Sequence, residues 1–121
     1  MAIMVWDSSG FLTEEVLEQV GGEFTTRNLS EDSVLAQNSA SLSSVDSETA
    51  SLVEINGNDY WKAEAEGSRA KTGSHEICMS YFHHRGMQLY QYSLMSLSDS
   101  QQVNENLKDD LEAIVESATY E

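Results

Sequence analysis

The chain is short of cysteine, of basic residues and of long apolar runs. Its one cysteine, Cys78, excludes an internal disulfide framework and with it the small bridged secreted scaffold. No window approaches the roughly 20 apolar residues that would cross a bilayer, so no integral membrane segment is expected. Six Lys and Arg stand against 21 Asp and Glu, leaving a formal charge of -15. Binding to a phosphate backbone needs clustered cations, so nucleic acid is not an expected partner. Catalytic motifs are also missing. Gly21-Gly22 and Gly57 are isolated and make no phosphate loop, and no serine lies in a G-x-S-x-G setting. Asp109-Asp110, Glu112 and Glu116 lack the spacing and glycine of a calcium loop. The chain is therefore expected to be no enzyme, with no catalytic residue, cofactor or metal.

What is present is one domain of 121 residues, 40% hydrophobic, long enough to bury a core. Its charge is unevenly spread: residues 1–61 hold eleven acidic side chains and one base, Arg27, while Lys62, Arg69, Lys71 and Arg85 fall in the central strands and loops. Such a balance favours solubility and attraction to cationic partners. The segment Met1–Trp6 lacks the basic start and long apolar run of a signal peptide. The expected location is the cytoplasm, or outside it for a domain whose leader is absent from this chain.

Ala2–Trp6 is short, apolar and rich in strand formers, and reads as an edge or linking strand ended by Asp7-Ser8-Ser9-Gly10. Leu12, Val16, Leu17, Val20 and Phe24 then recur at helical spacing, with Thr13 as cap and Glu14 and Glu15 in the first turn. Gly21-Gly22 ends or weakens this helix, with a short continuation through Phe24 as the other reading. Residues 30–51 carry eight serines and only Val34, Leu35, Leu42 and Val45 to pack, which predicts a long loop leading into an edge strand.

Leu52–Ile55 and Tyr60–Glu66 flank Asn56-Gly57-Asn58-Asp59, a hairpin signal, since Asn and Gly tolerate the positive φ of tight turns. Setting Ile55 opposite Trp61, with Gly57-Asn58-Asp59 as the loop, puts Val53, Ile55, Trp61, Ala63 and Ala65 on one face and pairs Glu54 with Lys62. After a polar loop from Gly67 to Ser74, His75–Ser96 forms a second hairpin. A turn at Arg85-Gly86 sets Ile77 opposite Leu94, Met79 opposite Tyr92 and Tyr81 opposite Tyr90, giving one apolar face. A three-residue turn with Gly86 left-handed is the alternative and shifts the register. Ser98-Asp99-Ser100-Gln101 offers caps for a last helix to about Ser117. Val103, Leu107, Leu111, Ile114, Val115 and Ala118 form its stripe, and Asn104, Glu105, Lys108, Asp109, Glu112 and Glu116 its wet face. The fold class predicted is α+β, an antiparallel sheet with an N-terminal and a C-terminal helix packed on it.

The second half resembles a known group. Val53-Glu54-Ile55-Asn56-Gly57, then Tyr60–Glu64, the His84-Arg85-Gly86 turn with Met87–Ser93, and the closing Leu111–Ser117 are similar in order and spacing to the PsbP-like and DcrB-like families. The likeness covers about residues 45–121. It implies a sheet with helices packed on it and non-catalytic roles, such as accessory subunits or chaperone-like binding of other proteins. The first half departs from it: the families begin with a hairpin and a P-x-x-W segment, and this chain has no proline. The resemblance therefore implies a sheet edge open to another chain.

Two constellations invite a site. His75, His83, His84 and Cys78 suggest a metal, but at the normal strand rise His75 and His83 stand about 27 Å apart and Cys78 and His84 about 20 Å. Adjacent His83 and His84 point to opposite faces. The other is the second face of the central hairpin, where Cys78, Ser80, Phe82, Leu89, Gln91 and Ser93 mix polar and apolar. Cys78, Phe82, Leu89 and Gln91 are the candidate protein contact, and Cys78 itself reads as an inert strand thiol. The expected partner is a protein, either a basic one or a second copy in a homodimer. An acidic decoy that mimics nucleic acid or neutralises a basic protein is the alternative.

Overall fold

Five strands form one antiparallel sheet in the order β1-β5-β4-β3-β2, with helices on both faces. The structure is a computed structural model that describes residues 2–69, 73, 75–97 and 101–120, with the backbone alone for 96, 97 and 101–103. In chain order the elements are β1 Ala2–Asp7, α1 Glu14–Gln19, a 3-10 turn Thr26–Asn28, α2 Glu31–Asn38, β2 Ser44–Ile55, β3 Asn58–Ser68, β4 His75–Arg85, β5 Gln88–Leu97 and α3 Gln101–Ser117. The predicted α+β class is the observed one. Lys71, the Ser98–Ser100 caps and the Val103 side chain lie outside the described residues.

Local chemistry explains the helix ends. The Thr13 hydroxyl accepts the Val16 amide at the start of α1. At its end Gly22 N–H reaches Leu17 C=O at 2.7 Å and Gly21 N–H reaches Glu18 C=O at 3.3 Å, with both glycines at positive φ. That pair of bonds is a Schellman motif, which stops the helix before Phe24 and removes the continued-helix reading. The predicted loop over residues 30–51 is replaced by α2 and most of β2. Ser30 caps α2 by accepting the Ser33 amide, and Glu31 and Asp32 favour its dipole.

The central hairpin turns at Gly86-Met87, with Arg85 opposite Gln88 and Gly86 at φ 61, the geometry of a two-residue II′ turn. Met79 therefore faces Leu94, Tyr81 faces Tyr92 and His83 faces Tyr90. The pairing differs from the predicted one by two residues, an even shift, so every side chain keeps its predicted face. The first hairpin differs by an odd number. Asn56 at φ 51 and Gly57 at φ 79 form a two-residue I′ turn, with Ile55 opposite Asn58 and Val53 opposite Tyr60. Trp61, Ala63 and Ala65 thus lie on the face opposite Val53 and Ile55, and Glu54 pairs with Asp59 rather than Lys62.

On one face Tyr60, Met79, Tyr81, Tyr92 and Leu94 form a core with Leu111 and Val115 of α3. Burying a side chain of this size stabilises by roughly 1.5–3 kcal/mol. Asn104, expected on the wet face of α3, is buried. On the other face α2 sets Val34 against Ala63 and Phe82. At the start of β2 a bulge between Val45 and Ser47 brings the Ser44 carbonyl against Gly67, where a Cβ would lie 2.0 Å from that oxygen. Only glycine fits there. Among the described residues no helix is long and apolar enough to cross a membrane.

Candidate functional site: the β1 edge and its groove

Among the described residues β1 lies at the sheet margin with one side unpaired, because it pairs only with β5, from Ala2 opposite Ser93 to Asp7 opposite Gln88. Ser8 N–H donates to Met87 C=O at 2.8 Å, continuing this ladder. Antiparallel pairing alternates, so the even residues turn their backbone groups to β5 and Ile3 and Val5 turn theirs outward. The side chains of this edge are apolar and open: Ile3 is 60% exposed, Val5 53% and Trp6 43%. Phe11 and Met87 extend the exposed apolar surface past the end of the strand. Asp7 closes it. Its carboxylate accepts the Ser9 amide at 2.9 Å, which lowers its pKa and keeps it ionised.

Beside β1, on the α2 face, lies a groove of about 510 Å³. Ala2, Met4 and Trp6 of β1 form one wall, Gln37–Ser41 contributes the other, and Cys78, Ser80, Gln91 and Ser93 lie on the floor with Met95. The floor is polar but satisfied. Gln91 Oε1 accepts from Trp6 Nε1 at 3.2 Å and from Gln37 Nε2 at 3.4 Å, while its Nε2 donates to the Ser93 hydroxyl at 2.9 Å. Ser80 donates to Asn38 Oδ1 at 2.7 Å. Burial pushes the Cys78 thiol pKa up, so the thiolate is disfavoured and the sulfur is a poor nucleophile.

The four predicted contact residues are split by α2. Cys78 and Gln91 line the groove. Phe82 is fully buried and half-buried Leu89 packs against the same cluster. The half-polar face is thus a covered layer over much of its width, and its open part is the groove. Trp6 and Met4 completed the site without being singled out as contacts. The signal available for them was alternation within Ala2–Trp6, which places both on the face shared with Gln91.

The histidines form no common centre. His75 lies near Asp46 and Glu66 at the far end of β4, whereas His83 and His84 sit at the hairpin turn on opposite faces. Among the described residues no three His, Cys, Asp or Glu side chains group as a metal site. His84 Nδ1 donates to Phe24 C=O at 3.0 Å, so its Nε2 accepts from the Ser8 hydroxyl at 3.1 Å. This has the spacing of a nucleophile and base, but Ser8 is 2% exposed and offers no open side to a substrate. His83 Nδ1 donates to Asp59 C=O at 2.7 Å, and its ring stacks on Tyr120 with centroids 4.3 Å apart. Burial lowers the pKa of both histidines, favouring the neutral rings. Tyr120 lies beyond the apolar stripe of α3, and no spacing pattern marks it in the sequence. Its hydroxyl lies 3.0 Å from that of Tyr60 and 2.7 Å from that of Tyr92, which seals the chain end onto the α3-side core.

No family model, curated protein or solved structure matches the chain.

Proposed function

We propose that this protein is a non-catalytic binding module that captures an extended segment of another protein along β1. The observation that carries the reading is the open β1 edge: outward backbone groups at Ile3 and Val5, flanked by exposed apolar side chains and a neighbouring groove. Main-chain hydrogen bonds supply affinity in strand addition, and pockets for alternate side chains supply selectivity. An accessory or chaperone-like role of the PsbP-like and DcrB-like kind fits such an edge.

The test is Val5→Pro. Proline removes an amide that the fold leaves outward and so blocks an incoming strand, while an edge position tolerates it. Against a panel of short extended synthetic peptides, the wild type is expected to bind at least one and the variant none, with unchanged circular dichroism. Equal binding by both proteins would sink the proposal. The second reading, an acidic decoy, rests on the charge of -15. It predicts affinity for polycations that survives Val5→Pro and collapses between low and moderate salt.

A further inference from the structure

Resting on that reading, we infer that the segment β1 accepts is apolar in alternation and led at its N-terminal end by lysine or arginine. The whole sheet is antiparallel, so a strand added in the same sense starts beside Asp7 and ends beside Ala2. The two ends of β1 differ in charge. Ala2–Trp6 carries none, whereas Asp7 stands at the mouth of a cleft of about 870 Å³ that it lines with Glu23, Asp59 and Arg85. Asp59 is engaged by Arg27 at 2.9 Å, which leaves the exposed Asp7 and Glu23 against one exposed cation, Arg85, and a net negative charge at that end. Up to Arg27 the chain carries five acidic side chains, including Glu14, Glu15 and Glu18 of α1, and no Lys or Arg. A cation at the start of the segment meets this field, and apolar residues after it meet Ile3 and Val5 on one face and Trp6 on the other. A second copy fits worse, since it brings another -15 and no Lys or Arg within residues 1–7 to that end.

The experiment compares two synthetic peptides with the same alternating valine–threonine core, one preceded by lysines and one by glutamates, titrated into the whole chain and followed by amide NMR. The lysine-led peptide is expected to shift the Ile3, Val5 and Asp7 signals and to bind at least about tenfold more tightly at low salt. Asp7→Asn with Glu23→Gln should erase most of that difference and leave the glutamate-led peptide's affinity unchanged or improved. Equal binding of the two peptides overturns the charge preference and leaves strand capture standing. If neither peptide moves β1 signals, strand capture itself falls. Lysine-led binding that persists in Val5→Pro, or in Val5→Lys should the proline variant not fold, assigns the affinity to general charge and also overturns the inference. So does self-association that rises with protein concentration and disappears in Val5→Pro, which makes the occupant a second copy.

Discussion

The two margins of the sheet are treated in opposite ways. β2 runs twelve residues, carries Asp46, Glu48 and Glu54, and bends at the Val45/Ser47 bulge. β1 runs six residues and has no charge before Asp7. Charges and bulges are how proteins stop unwanted strand pairing, so the acidic margin is a guarded one. The short apolar margin lacks those guards. A chain of -15 that places no charged side chain in Ala2–Trp6 leaves one edge without those guards and sets them on the longer one.

The comparison can be broken first at the guarded margin. Gly67→Val should cost about 3 kcal/mol, because the new side chain collides with the Ser44 carbonyl and must unseat the start of β2. The denaturant midpoint measures it, and amide exchange should rise at 44–48 while β1 stays as protected as before. A midpoint equal to wild type would show that the close approach at the bulge is not what holds this margin.

Acid should act on the other margin. His83 and His84 have native pKa values lowered from 6.5 by burial, so the unfolded state binds more protons as pH falls. Their contribution is present above about pH 6.5 and is lost as pH drops through the lowered native values. Because His84 Nε2 accepts from Ser8, whose amide continues the β1–β5 ladder, exchange at Ser8–Leu12 should rise before that of β2. Flat stability between pH 7 and pH 5 would contradict this.

The smallest effect on stability comes from removing the guards. Glu48→Val with Glu54→Val alters exposed positions and should change stability by no more than about 0.5 kcal/mol. Its signature is new association: light scattering should increase with concentration, since β2 then presents an apolar edge like β1. A variant that stays monomeric would mean that the bulge alone protects β2.

Legibility in the sequence followed parity and composition. The faces of Ile77, Met79, Tyr81, Tyr90, Tyr92 and Leu94 were legible although the register was not, because an even slip leaves faces unchanged. Ring size points to Trp61 as the core residue at the start of β3, whereas Tyr60 is fully buried and Trp61 lies across the sheet. The helix at Glu31–Asn38 has a weak signal because it lies in a stretch, residues 30–51, with eight serines and few apolar residues. The cap signal Ser30-Glu31-Asp32 was nonetheless present. The length of β2 had little local signal, since its strand form rests on pairing with β3 more than on its own side chains. Of the proposed contact, Cys78 and Gln91 reached the groove. Phe82 did not, because α2 packs Val34 onto it.

Local sequence determined the elements that depend on near neighbours: the Thr13 cap, the Gly21-Gly22 stop, the Asn56-Gly57 turn, the closing helix and the acidity of the chain. Tertiary structure decided that Ala2–Asp7 pairs with β5 at one margin, that β2 occupies the other, and that α2 covers part of the central hairpin. Strand order and face covering join residues far apart in the chain. They are set by which packing buries the most apolar surface with its backbone groups paired, a quantity no local pattern encodes.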